Sequence, residues 1–146
     1  MINFNDIPDW WALCPNDDCP LAGDCLRRQA CKEAPADVTR WMCVMPGVAR
    51  GGACPYYQKA EPVRMARGMN RIYEGVSDPR VRSKLRQALI VRLGSNGSYY
   101  RYKDGERLIG PELQQWIADL FRSNGVDAQP QYDEVFEAYD FTKTIG

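Results

Sequence analysis

Six cysteines and no histidine decide what chemistry this chain can do. The cysteines are spaced Cys14-x4-Cys19-x5-Cys25-x5-Cys31-x11-Cys43-x10-Cys54, all within residues 14–54. Thiolates bind borderline and soft metals, pair as disulfides, or act as nucleophiles. The lack of histidine removes Ser–His–Asp and Cys–His catalysis, the two-histidine zinc protease helix and mixed Cys/His zinc fingers. A nucleophilic cysteine would also have no ready base. A metal site must therefore rest on thiolates, with a carboxylate at most in support.

Which cysteines would converge follows from their neighbours. A tetrahedral zinc site needs four thiolates at about 2.3 Å from the ion. A 4Fe-4S cluster also takes four ligands, set wider apart. Cys14, Cys19 and Cys25 form a local trio in CPNDDCPLAGDC. Cys54, in the loop stretch GGACP, repeats the Cys-Pro step of Cys14 and Cys19 and is the expected fourth ligand. Proline limits the entropy lost when such loops are ordered. Cys31, six residues after Cys25 on a short helix, should point away from it. Cys43, among Trp41, Met42, Val44 and Met45, reads as a small buried apolar residue. The expected cofactor is zinc, with a 4Fe-4S cluster as the alternative, since no C-x2-C knuckle singles out zinc. Disulfides or unligated thiols are the remaining option.

Composition sets the compartment and the class. The chain has 146 residues, 45% hydrophobic, and 19 basic side chains balance 19 acidic ones. That suits one globular unit with its own core. The start MINFNDIPDWWALC is acidic and short of an apolar run, and no window reaches transmembrane length. The expectation is a cytoplasmic protein with no membrane contact, whose thiols stay reduced.

Charge is uneven along the chain. Residues 1–62 are net −2, residues 63–92 net +6, and residues 111–146 net −5. The basic middle holds Arg64, Arg67, Arg71, Arg80, Arg82, Lys84 and Arg86. Tyr99, Arg101 and Lys103 follow on one face of an expected hairpin, mixing aromatic and cationic groups as nucleic-acid surfaces do. These ten are the candidate nucleic-acid contacts. The bland alternative is a solvated arginine face, or one paired with the acidic C-terminal segment. A further option is an acidic protein partner, with an exposed Trp10-Trp11 pair as a second contact.

The elements that must position these groups divide at about residue 60. Residues 1–60 read as a loop-rich, Cys-clasped part, with a short helix over about Asp24–Glu33 capped by Asp24 and a strand-like run at Val38–Met45. Residues 61–146 read as helix, helix, β-hairpin and helix, packed with the first part as one unit. The first helix spans 63–74, with Met65, Met69, Ile72 and Tyr73 on one face. The second begins at Ser77 or Asp78 with Pro79 in its first turn and buries Val81, Leu85, Ala88 and Leu89. SYYRYKDGERLI predicts a hairpin turning at Asp104-Gly105. Gly110-Pro111 starts a helix facing inward through Leu113, Trp116, Ile117, Leu120 and Phe121 and stopped by Asn124-Gly125. YDEVFEAYDF predicts a last short helix. The fold class is α+β with a winged-helix-like second half, whose second helix would enter a major groove.

The pieces LCPNDDCPLAGDCLRR, CPYY, ARGM, SYYRYKDGERLIGPELQQWI and YDEVFEAYDF together resemble a family of small, uncharacterised, cysteine-containing bacterial proteins, over about residues 10–141. The resemblance implies Cys14, Cys19, Cys25 and Cys54 as the motif cysteines. It carries no activity and so no catalytic residue. No acid/base pair, nucleophile elbow, phosphate loop or cofactor fingerprint stands in the sequence, and the expectation is a non-enzymatic protein. Its function is expected to be nucleic-acid binding or regulation around a structural four-cysteine site. A protein-interaction adaptor is the alternative, and an iron–sulfur redox or sensing protein a second one.

Overall fold

A computed structural model describes residues 2–48 and 52–145. The described residues form four α-helices and one three-stranded antiparallel sheet, which is an α+β fold. No helix among them is long and apolar enough to cross a membrane. The chain divides into two compact units, Met1–Pro62 with Tyr139–Gly146, and Val63–Ala138.

The first unit is mostly loop. Its one α-helix, α1 (Leu26–Lys32), starts after a 3-10 turn at Ala22–Asp24. The capping position is Cys25, not the expected Asp24. The Asp24 carboxylate instead accepts a hydrogen bond from the Tyr57 hydroxyl at 2.9 Å. The run Val38–Met45 is not a strand. Only Cys43 pairs, as an isolated parallel bridge to Leu13. Leu13 donates to the Met42 carbonyl (2.9 Å) and accepts from the Val44 amide (2.8 Å). Val44 therefore turns inward, while Cys43 is exposed rather than buried as expected.

The core of this unit gathers Ile2, Phe4, Ile7, Trp11, Leu13, Leu26, Ala30 and Phe141. The tryptophan pair splits. Trp11 is fully buried against Phe141, ring centroids 4.9 Å apart, and only Trp10 reaches solvent. An indole at the centre of so small a core outweighs the exposure expected for the pair.

The second unit is regular. Strand β1 (Val63–Arg67) lies between β2 (Leu108–Ile109) and β3 (Glu134–Ala138). The β1–β3 register runs from Val63↔Ala138 to Arg67↔Glu134, and Ala66 faces Ile109 of β2. Helix α2 (Pro79–Leu93) is capped by Asp78, whose carboxylate accepts from the Arg80 amide at 2.9 Å, and it ends at Gly94 with φ +100°. Helix α3 (Asn96–Lys103) follows at once, capped by Ser95. Helix α4 (Pro111–Ser123) starts behind Gly110 as expected and buries Gln114, Ile117 and Phe121. A single cluster, including Met69, Ile72, Leu85, Leu89, Tyr99, Ile109, Ile117 and Phe121, forms the core.

Three expectations for this unit are overturned. Residues 63–67 are a strand, not the start of a helix. Met65, Met69 and Ile72 are buried as their spacing suggested, yet central pairing on both edges of β1 satisfies the backbone. Gly68 then breaks any helix at φ +79°, and a Cβ there would collide with the Asp133 carboxylate. The YDEVFEAYDF segment contributes β3 instead of a helix, because β1 offers it five residues of register.

The first arm of the expected hairpin is helix α3, while its second arm is strand β2 and pairs with β1 instead, so the wing is absent among the described residues. Ser95 accepts from the Ser98 amide at 3.1 Å and nucleates the helix. Asp104-Gly105, with Gly105 at φ +87°, is the end of that helix rather than a hairpin turn.

Candidate metal centre

The first unit's loops are folded around sulfur. Cys14 follows the Leu13 bridge, and its amide donates to the Arg27 carbonyl at 3.2 Å. Cys25 pairs antiparallel with Lys59, flanked by Leu26 N–H to Gln58 O (2.7 Å) and Ala60 N–H to Asp24 O (2.8 Å). That short ladder carries the preceding turn, closed by Tyr57 N–H to Cys54 O at 3.2 Å, over the start of α1. In the GGACP stretch, Gly52 sits at φ +84° and Gly51 lies outside the described residues.

The Cys-Pro steps have a local purpose. Proline has no N–H, so the first amide after the cysteine that can turn back belongs to residue i+2. The Leu21 amide donates to Cys19 Sγ at 3.4 Å. The Asn16 amide acts in the same sense on Cys14, holding its thiol pKa down against burial. Amide–sulfur bonds of this kind favour the thiolate and orient it as a ligand.

Cys14, Cys19, Cys25 and Cys54 line one cavity of about 20 Å³, closed by Val44, Val48, Tyr56, Arg27 and Arg28 among others. Cys31 and Cys43 do not line it. Space of that size holds one water-sized occupant. Burial pushes the Cys14 thiol up from its ordinary value; the Asn16 amide works against this, and the neighbouring Cys25 and Cys19 add to it. Among the described residues, no three cysteine or acidic side chains are gathered closely enough to hold an ion as they stand. All six cysteines are free. The expected quartet thus lines one cavity without converging on a point as it stands.

Arg27 forms part of the same wall and is 1% exposed. Its guanidinium donates to four carbonyls: Tyr56 (2.8 Å), Ala12 (2.8 Å), Lys143 (3.0 Å) and Thr144 (3.1 Å). It lies 4.4 Å above the Trp11 ring. Burial lowers its pKa from the usual arginine range, and the thiols of Cys25, Cys54 and Cys14 pull the other way. Arg28, nearly as buried, pairs with the Asp17 carboxylate.

The basic residues expected to form one surface are scattered over the second unit. Arg64 donates to Gln114 Oε1 at 2.9 Å, where Gln114 also caps the carbonyls of Arg64 and Ile109. Arg67 stands over the Phe136 ring, with Glu134 at 3.9 Å. Arg71 is paired with Glu74 at 3.0 Å. Lys103 donates to Asn70 Oδ1 at 2.8 Å. Tyr99 is 1% exposed, its hydroxyl 2.9 Å from that of Tyr73, so it belongs to the core and not to a contact surface. Arg101 is exposed on α3. On α2, Arg82 is tied to the Val76 carbonyl and Arg86 to the Tyr100 hydroxyl at 3.0 Å. Arg80 and Lys84 project away from the Leu85 and Leu89 stripe. Among the described residues neither has a carboxylate partner.

A family profile matches residues 1–141. The chain belongs to DUF6078, a family of unknown function. Comparison with curated proteins and with solved structures found no match. The DUF6078 match takes in the whole cavity and both arginines of its wall.

Those arginines are what the sequence reading of this DUF6078 chain missed. Arg27 and Arg28 follow Cys25 on a seven-residue helix, and arginines are rarely found fully buried. The one available hint was their position, two and three residues after a motif cysteine.

Proposed function

We propose that this is a non-enzymatic metal-binding protein in which Cys14, Cys19, Cys25 and Cys54 hold one zinc ion as a structural centre. The observation that carries the reading is the shared cavity: four cysteines from separate turns line it, and the other two do not. A closed four-thiolate zinc has no open coordination position for substrate, so its work is to fix the loops. A reducing, cytoplasmic setting keeps those thiols available.

Metal analysis with a visible spectrum, on protein purified without oxygen, tests this. One zinc per chain and no visible absorption are expected. A brown protein containing iron and sulfide would replace zinc with a cluster and make the centre a redox or sensing device. Protein free of both metals under these conditions would defeat the reading.

A second reading concerns α2. Its sequence, PRVRSKLRQALIVRL, contains no acidic residue, and the outward Arg80 and Lys84 lack carboxylate partners among the described residues. That supports binding of an anionic partner, nucleic acid first. Affinity for duplex or single-stranded nucleic acid should fall steeply with salt, and the slope should shrink by about one per phosphate-contacting cation removed in Arg80→Ala or Lys84→Ala. No binding at low salt would leave an acidic protein partner as the occupant of this face.

A further inference from the structure

Among the described residues, Arg27 is a buried cation with no anion of its own. It lies on the cavity of the quartet, 1% exposed, and its four hydrogen bonds all go to neutral carbonyls. Among the described residues no carboxylate lies within ion-pair distance of it. Its neighbour Arg28, on the same wall, has Asp17. A charge buried in this way is costly unless an opposite charge sits beside it. The groups beside Arg27 that can become negative are Cys25, Cys54 and Cys14, with Tyr56 across its other face.

Resting on the metal reading above, we infer that Arg27 is the fixed counter-charge and positioning residue of the quartet, whose four thiolates and Zn²⁺ together make a dianionic centre. On loading, four S–H groups release four protons to solvent, and Zn²⁺ with four thiolates leaves a net charge of −2 at the centre. Arg27 neutralises half of it. Its fork also joins the segments that carry the ligands: Ala12 lies just before Cys14, and Tyr56 just after Cys54. Lys143 and Thr144 add the end of the chain to the same anchor. One guanidinium therefore sets both the charge at the site and the spacing of two ligand loops.

The test separates charge from anchoring. Arg27→Lys keeps the cation and loses the fork; Arg27→Gln keeps hydrogen bonding and loses the cation. Zinc affinity is measured by chelator competition on the full chain, and cobalt substitution reads the thiolate-to-metal charge-transfer band. Arg27→Gln should bind zinc about 10- to 100-fold more weakly. Arg27→Lys should stay nearer to wild type than to Arg27→Gln. Where a variant folds only with metal, the zinc concentration at its folding midpoint replaces the competition assay, with the same order expected. Equal affinities for the lysine and glutamine variants would overturn the counter-charge role. Wild-type protein that takes up neither zinc nor cobalt would overturn the metal site itself, a separate outcome.

Discussion

The two units satisfy their backbones in opposite ways. In Val63–Ala138, three strands and three helices pair most of the main chain with itself, and one cluster of buried side chains closes over α2, α4 and the sheet. In the cysteine-bearing unit, one seven-residue helix and two isolated bridges do that work. Local turns close much of the rest, and side chains add to them: Arg27 alone serves four carbonyls. Ordering a residue costs about 1–2 kcal/mol of backbone entropy, and loops recover less of it through ladders than strands do. Three of the buried polar atoms left without partners among the described residues, on Trp11, Arg28 and Gln58, also fall in this unit. The sheet unit is self-sufficient in pairing its backbone; for the cysteine unit, the proposal above is that a bound metal supplies something its loops lack.

The largest effect should come from taking that something away. Removing metal with a chelator, or making Cys25→Ser, should release the loops of 2–62 and leave the sheet unit folded. Apparent binding energies of structural zinc sites are about 10–16 kcal/mol, more than the whole stability of most domains. Hydrogen exchange read by mass spectrometry should show fast exchange around Cys14–Ala60 with protection kept in α2, α4 and β1. Unchanged protection in the cysteine loops would show that no clasp is needed there. Loss of protection in both units together would show that they do not differ as proposed.

A middle-sized effect runs the other way. Leu89 is fully buried in the sheet unit's core. Leu89→Ala should cost about 2–5 kcal/mol by denaturant unfolding. It should leave zinc affinity where it was, since Leu89 belongs to the other unit. A drop in metal affinity with this substitution would show that the units share one stability.

The same contrast explains what could be read from the chain in advance. Helices α2 and α4 were legible because their ends carry local chemistry: Asp78 before Pro79, Gly110 before Pro111, and Gly94 and Gly125 in the left-handed region at their ends. Strands β1 and β3 were not, because they exist only by pairing; β2 falls in the second arm of the expected hairpin, but its partner is β1. Met65, Met69 and Ile72 recur at helical spacing and are buried, yet β1 sets them there as a strand and the turn after Gly68. Asp104-Gly105 fits a hairpin turn and a helix C-terminus equally well, and Ser95 decided for the helix. That Cys14, Cys19, Cys25 and Cys54 share a cavity could be anticipated from the closeness of the first three in sequence and, for all but Cys25, from a Cys-Pro step. Arg27 could not be, because a buried arginine follows no periodic pattern, and its partners come from residues 12, 56, 143 and 144.

The smallest effect probes the one buried polar atom without a partner that the self-sufficient unit shows among its described residues. The Tyr132 hydroxyl is buried in the core cluster and accepts or donates no hydrogen bond there. Burial pushes its pKa up to about 12, with Arg64 pulling it down. The unfolded value is about 10. A folded pKa above the unfolded one means the neutral hydroxyl is favoured by the fold. Its contribution is complete below about pH 10 and is lost as pH rises through about 12. Tyr132→Phe removes both the orphaned group and this titration. Near neutral pH the variant should be as stable as wild type or better by up to about 1 kcal/mol. Between about pH 10 and 12 its urea midpoint should hold while that of wild type falls. A loss of more than about 1 kcal/mol at neutral pH would mean that the hydroxyl has a partner in solution, and that the sheet unit too depends on a group outside its own described contacts.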